Sequence, residues 1–443
     1  MKKVYFATVL FSLGCVGVFA AAPVVEVESI RQAANRDVTV SYTLSGASGF
    51  VTAEILTNGV PAGVNVATAS GDINAVVATG TRSFVWKARK DWPDQNLAVS
   101  VQVKALPVGH LPDYMVVDLL NPDTRFFYAT SNDVPGGVTS LVYKTDKLIM
   151  RRIPARGVIW RMGQPANGEL CQGESRSDAS TRESTLRNNE TGHLVALTED
   201  YYMSIYEVTQ KQYYNMTGLR PSAQTTGGGE GSNTHPVDSV SVHEIRGAPS
   251  GAFVGWPTDG HAVADGSVLR TLRNFTGIES FDLPTEAQGE FACRAGTTTS
   301  LNSGKDVIDP TSSHADANFA EVGWSQHNSK YDERADNVSK EVGLLRPNNF
   351  GLYDMHGNIA ERCLDWQSEG DAYRATFADG WTRGAVTVDP VGPATGTYRI
   401  VRGGDHRYSA SWARSAARAA YTHLPDAKGW VYGIRLVCSA AVD

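Results

Sequence analysis

The first spacing in this chain suited to metal chemistry is Asp354-x-x-Gly357-x-Ile359-x-Glu361. Calcium takes roughly six to eight oxygens, from carboxylates and backbone carbonyls. Asp354 and Glu361, with Gly357 allowing a sharp turn between them, could wrap one ion. On spacing alone, a turn with two solvated acids is the commoner meaning. A second polar group, Asp405-His406-Arg407, stands beside Tyr408 and Trp412. His406 could join distant residues in a facial metal triad, although a surface histidine is the commoner case. Beyond Cys15, the cysteines are Cys171, Cys293, Cys363 and Cys438. None forms a CxxC pair, which argues against structural zinc. An even number permits two disulfides in an oxidising compartment.

The elements that must position these residues are legible in caps and periodicity. Thr209 suits an N-cap and Gly218 a C-terminal stop, so a short helix is expected over 210–217. Ser241-x-x-Glu244 and Thr285-x-x-Gln288 have capping-box spacing, and the second opens a helix ending near Gly296. Arg151–Gly163 reads as the end of a strand. Residues 164–192 read as a loop, as do the Gly-rich insertions 222–234 and 249–266. The stretch 297–443 reads as mostly loop and short strand.

Upstream, residues 23–106 form a candidate small β domain. Asp37–Leu44 alternates polar and apolar side chains, as a half-buried strand does. Phe50–Leu56, Ile73–Val77, Arg82–Trp86 and Leu97–Val103 are further strand candidates. Short strands punctuated by turn residues suggest a sandwich of immunoglobulin or fibronectin type, serving as a spacer or adhesive module. Residues 107–150 read as a connector, with Tyr114–Leu119 and Ser140–Lys144 as possible strands.

The whole chain has 443 residues, enough for two or three domains. Its 42% hydrophobic and 20% charged residues fit a globular protein rather than long disorder. The net charge of -7, without a basic run, argues against nucleic-acid binding, which needs clustered Lys and Arg. Residues 1–22 place Lys2 and Lys3 before an apolar run and small residues, the order of a secretory signal. Cleavage after Ala20 is expected, leaving an exported protein (periplasmic, cell-surface or secreted) with no membrane span. Ser12-Leu13-Gly14-Cys15 only faintly matches a lipoprotein box, so lipidation of Cys15 is the lesser reading.

Three further stretches carry a family resemblance. Phe281–Gly296 reads FDLPTEAQGEFACRAG, Asn349–Trp366 reads NFGLYDMHGNIAERCLDW, and Val401-Arg402-Gly403-Gly404 precedes Ala417-Arg418 and Gly433-Ile434-Arg435. Trp160–Gly163, Glu207-Val208-Thr209 and Pro236-Val237 stand upstream in the same order. The set resembles the formylglycine-generating enzyme, or sulfatase-modifying factor, family over roughly 155–440. The resemblance implies an α+β, loop-rich, C-type lectin-like fold over 151–443, preceded by the all-β sandwich. It also implies calcium on the side chains of Asp354 and Glu361 and the carbonyls of Gly357 and Ile359. A second family calcium site would start at Asn318 and use an acid such as Asp332, but the loop lengths do not align there. The ligand surface implied by this fold runs along Asp405–Trp412 and Tyr421–Tyr432. It puts Asp405, His406, Arg407, Tyr408 and Trp412 against a protein, peptide or glycan, while Trp430 and Tyr432 read better as core.

The family's active members oxidise a substrate cysteine with O₂, using copper on two cysteines just after the Arg-Gly-Gly run. Here Tyr408 and Ala413 stand at those positions. Neither offers the soft thiolate that Cu(I) selects, so copper is not expected. The family's iron-dependent branch carries an HxxxHxE motif, which none of the ten histidines forms, so iron is not expected either. Gly289 replaces a family Trp inside a helix, at a cost of about 1 kcal/mol plus lost packing. Ala360 and Arg362 replace two aromatics. Cysteines resembling Cys293 and Cys438 occur in parts of the family, and a bridge between them is the favoured pairing. Cys171 with Cys363 is equally compatible with two free thiols. Two functions follow: a catalytically silent, calcium-stabilised ligand-binding module, or a metal-dependent oxidoreductase with altered site residues. A third, a diversified lectin-fold binder, would vary mainly over 405–432.

Overall fold

The computed structural model describes residues 22–57, 60–61, 66, 68–91, 99–108, 111–121, 125–163, 190, 192–223, 232–247, 262–308, 315–330, 337–367, 386–393, 396–418 and 424–440. Within it the alternation at the start of the chain does what a period of two requires. Strand Asp37–Ser45 buries Val38, Val40, Tyr42 and Leu44 on one face. It lies antiparallel between Val24–Gln32 and Gly80–Lys87. A second sheet is built on Gly49–Thr57, which pairs with Val99–Pro107, Ala75–Val77 and Val60–Pro61. Side chains from both sheets share one apolar cluster that includes Phe84, Trp86 and Val101. Its one indole is tied down by a hydrogen bond from Trp86 Nε1 to Asp91 Oδ2 at 2.7 Å.

The stretch expected to be a connector is part of the main core. Tyr114–Asp118, Arg125–Tyr128 and Lys147–Ile153 form a five-stranded antiparallel sheet with Tyr201–Ser204 and Val437–Ser439. Every residue of Tyr114–Asp118 is buried, which explains the continuous apolar run there. The second strand candidate, Ser140–Lys144, is instead a 3₁₀ turn over Leu141–Lys144. Phe50 packs edge-on against Phe127, 4.9 Å between centroids, so the first unit touches this larger core.

Three expected helices form with their expected caps. Gln210–Thr217 has Thr209 as N-cap and Gly218 in the left-handed conformation. Val242–Arg246 and Glu286–Arg294 carry the reciprocal boxes of Ser241 with Glu244 and Thr285 with Gln288. A fourth helix, Val268–Thr276, escaped the sequence reading because it abuts the Gly-rich insertion. Its signals are Ser267, whose side chain accepts from Arg270 N–H, and Gly277 at the C-cap. The remainder has short strands, as expected. Ala360–Gln367 pairs antiparallel with Tyr398–Arg402 and parallel with Tyr432–Gly433. Among the described residues, no helix is long and apolar enough to cross a membrane.

Candidate functional site

The Arg-Gly-Gly turn is held by buried charge. Arg402 donates to Glu286 and Glu290 of the helix Glu286–Arg294 and, through Nη1, to the carbonyls of Ser415 and Ala417 at 3.0 Å. Arg418 grips both oxygens of Glu286, at 2.6 and 2.7 Å. Burial works against the charge on Glu286, but Arg418 and Arg402 outweigh it and hold the carboxyl below its usual range. Helix, strand and the 415–418 segment are thereby fixed relative to one another.

Gly404 lets the 410–413 turn press in. At φ +69°, a Cβ there would lie 2.7 Å from Ala413 Cβ and 2.8 Å from the Trp412 carbonyl. Ala413 is buried, and its carbonyl accepts from His356 Nδ1 at 2.6 Å. His356 Nε2 accepts from Asn302 N–H at 3.0 Å, so the neutral tautomer is set by both neighbours. Burial lowers its pKa to about 4. The sequence reading passed over His356; its place in the Asp354–Glu361 turn was the available signal. His406, expected at the surface, is also fully buried. Its Nδ1 donates to the Asn358 carbonyl at 2.7 Å, and burial lowers its pKa to about 4.

The thiols lie elsewhere. Cys293, Cys363 and Cys438 are buried and free, so the expected Cys293–Cys438 bridge is not formed. Cys293 Sγ faces the Met355 carbonyl, His356 and Ser415, at 3.7 to 3.8 Å. Cys438 belongs to the five-stranded sheet, opposite Tyr202. Burial pushes Cys293 up to about 12 and raises Cys363 and Cys438 as well. Cys171 lies outside the described residues. Tyr408 and Ala413 supply no sulfur, so the donor set does not fit Cu(I). Among the described residues, no three His, Cys, Asp or Glu side chains group so as to hold a metal ion.

The Asp354–Glu361 turn is built on positive φ at Asp354, Gly357 and Asn358. Gly357 is obligatory, since a Cβ there would lie 1.9 Å from the Trp324 carbonyl. Glu207, fully buried, pins the turn by accepting from Asn358 Nδ2 at 2.6 Å and Ile359 N–H at 3.1 Å. It was visible in the sequence only as part of Glu207-Val208-Thr209. Asp354 Oδ2 accepts from Gly343 N–H at 2.6 Å, while its buried Oδ1 has no hydrogen-bond partner. Burial raises the Asp354 carboxyl to about 6. Glu361 commits Oε1 to Arg435 at 2.6 Å. The orphaned, buried Asp354 Oδ1 is the feature of this turn that suits a hard cation. Asp354, Glu361 and the carbonyls of Gly357 and Ile359 are the groups that would hold calcium. Asp332, of the second family site, lies outside the described residues.

Of the expected ligand surface, Asp405 and His406 turn inward, Tyr408 and Trp412 are half-buried, and Arg407 is exposed. Asp405 Oδ1 accepts from Arg407 N–H at 2.8 Å, and burial raises its carboxyl to about 6. Tyr408 and Trp412 form a tilted ring pair 5.7 Å apart. Trp430, expected in the core, is 38% exposed, with the Arg407 guanidinium 4.2 Å from its centroid. Tyr432 is half-buried beside Arg362. Tyr421 lies outside the described residues. Gly289 is half-buried and faces open space: a Cβ there meets nothing within 4 Å.

With this geometry in view, comparison with known proteins places the chain. Residues 166–440 match the sulfatase-modifying factor enzyme 1-like domain, and the chain belongs to that family. The formylglycine-generating enzyme of Thermomonospora curvata is 32% identical over 161 residues, 36% of this chain and 48% of that protein. The mouse formylglycine-generating enzyme is 26% identical over 264 residues, 55% of this chain and 66% of that one. The chain thus spans about half to two thirds of the length of these relatives. Among solved structures, Treponema denticola variable protein 1 superposes with a TM-score of 0.46 at 23% identity, covering 66% of this chain and 95% of that one.

Proposed function

We propose that this protein is an exported ligand-binding member of the sulfatase-modifying factor family and not a copper-dependent formylglycine generator. The observation that carries the reading is the sulfur-free pair Tyr408 and Ala413 in the turn after Arg402-Gly403-Gly404. The buried, protonated state of the three described thiols supports it. In this reading the domain keeps the C-type lectin-like form of its family, and the 23–106 unit is a sandwich of immunoglobulin or fibronectin type acting as a spacer. Calcium on Asp354, Glu361 and the carbonyls of Gly357 and Ile359 stabilises the turn that carries His356. The surface around Arg407, Tyr408 and Trp412 takes the ligand. Residues 1–22 direct export.

The test incubates the full chain with copper, O₂ and a cysteine-containing sulfatase peptide, followed by mass spectrometry. The peptide is expected to remain unoxidised. Formylglycine on it would overturn the proposal. The double variant Tyr408→Cys with Ala413→Cys is expected to retain copper through dialysis where the wild type does not.

A further inference from the structure

We propose that Lys144 is a built-in counter-cation of Asp354 and that its charge sets how tightly the 354–361 turn holds calcium. The second half rests on the calcium reading above; the first stands on the packing around Lys144 alone. Lys144 is buried, and its ammonium donates to the Val342 carbonyl at 2.7 Å. The N–H of that same peptide unit belongs to Gly343, and it donates to Asp354 Oδ2 at 2.6 Å. A peptide unit points its C=O and N–H in opposite directions. One unit therefore carries the ammonium at its negative end and the carboxylate at its positive end, and each charge strengthens the other's bond. The charges also act on each other through space. Burial lowers the Lys144 pKa and Asp354 opposes that shift; burial raises the Asp354 carboxyl, and the Gly343 N–H, Arg435 and Lys144 oppose that one.

The surroundings hold this arrangement in place. Gly343 has φ +72°, and a Cβ there would lie 2.3 Å from Tyr206 Cε1, so the unit lies close against that ring. The Lys144 ammonium is 5.2 Å from the centroid of the same ring. One short segment braces both partners. Thr209 Oγ1 donates to the Lys144 carbonyl at 2.8 Å, Glu207 accepts from Asn358 and Ile359 of the turn, and the Ile205 carbonyl accepts from Tyr353 N–H at 2.9 Å. The other acid acting on Lys144 is Glu341, which is exposed and so screened by solvent. The other cation acting on Asp354 is Arg435, which is committed to Glu361.

The two oxygens of Asp354 thus have different work. Oδ2 faces the peptide that Lys144 holds, and Oδ1, without a partner, is the oxygen calcium would take. A cation at Oδ1 is repelled by the ammonium across the peptide. The turn therefore binds calcium more weakly than its oxygens alone would dictate.

The test is a double-mutant cycle on the full chain, in urea and with calcium chelated, over Lys144→Met and Asp354→Asn. It is expected to be non-additive by at least about fivefold in the unfolding constant, with Lys144→Met costing more while Asp354 is present. The same cycle with Glu341→Gln should show a smaller coupling, because that acid is exposed. Titration calorimetry with calcium alone then compares affinities, and Lys144→Met should bind at least about tenfold tighter than wild type. Lys144→Gln, which keeps a donor without the charge, should do the same and replaces the methionine variant in both measurements if that one does not fold. An additive cycle, or a coupling to Glu341 as large as that to Asp354, would overturn the counter-cation. Where wild type binds calcium, an affinity unchanged or weakened in the Lys144 variants would overturn the effect on calcium. A non-additive cycle in proteins that bind no calcium would keep the pair of Lys144 and Asp354 and sink the calcium reading instead, so the two fail separately.

Discussion

Around Arg402 the buried charges are paired. Two carboxylates of one helix, three arginines and a set of carbonyls share a buried volume: Arg402 and Arg418 each find Glu286, and Arg402 and Arg294 each find Glu290. A few residues further along, the exposed Arg407 lies over the Trp430 ring, while the buried Arg362 lies over the Tyr432 ring and donates to the carbonyls of Val240 and Ala427. The first region spends its charge on position: it fixes strand, helix and the turn after Gly404 together. The second holds its guanidinium groups against aromatic rings and carbonyls instead. The difference teaches where change is tolerated. Replacing an exposed or half-buried side chain in the 405–412 turn should leave the scaffold intact, whereas losing a member of the buried lattice removes several charge-assisted bonds at once.

The lattice side of this comparison makes the largest prediction. Arg402→Met removes one guanidinium shared by Glu286 and Glu290, which keep Arg418 and Arg294, and takes the donor from the Ser415 and Ala417 carbonyls; the loss of these four buried bonds should cost about 3–5 kcal/mol in guanidinium unfolding. A loss below about 1 kcal/mol would mean that the lattice is not what holds the turn. Next comes acid. His406 has its pKa lowered to about 4, so below its ordinary value the unfolded chain binds a proton that the fold refuses. Stability attributable to His406 is therefore intact above about pH 6.5 and lost as pH falls toward 4, by about 3 kcal/mol at 1.36 per unit. The check is the unfolding free energy of wild type minus His406→Gln across that window; a flat difference would show a ring that protonates freely in the fold.

Calcium should act on a similar or smaller scale. At about a hundredfold over its dissociation constant it should add about 2.7 kcal/mol, removed by chelator. Asp354→Asn should abolish the calcium response in a thermal melt. An unchanged response would take Asp354 out of the ligand set. Smallest is Gly289→Ala in the helix Glu286–Arg294. The added Cβ meets nothing within 4 Å, so the helix should gain about 0.5–1 kcal/mol from propensity alone. A loss there would mean that the space beside this helix is needed.

Local signals carried the elements that local chemistry decides. Thr209, Ser241 and Thr285 each announced a helix because a side-chain oxygen satisfies a neighbouring backbone N–H within one turn. The alternation of Asp37–Ser45 announced a strand for the same kind of reason. The family motifs were legible, and so was the loss of sulfur at 408 and 413, because both are statements about residue type at fixed spacing. Partnership across the chain was not. That Tyr114–Asp118 joins Val437–Ser439 in one sheet, and that Cys293 faces His356 rather than Cys438, depends on contacts between residues far apart in sequence. So does the burial of His406 and the exposure of Trp430: a side chain's face is set by what packs over it, and only tertiary packing brought Arg407 onto that ring.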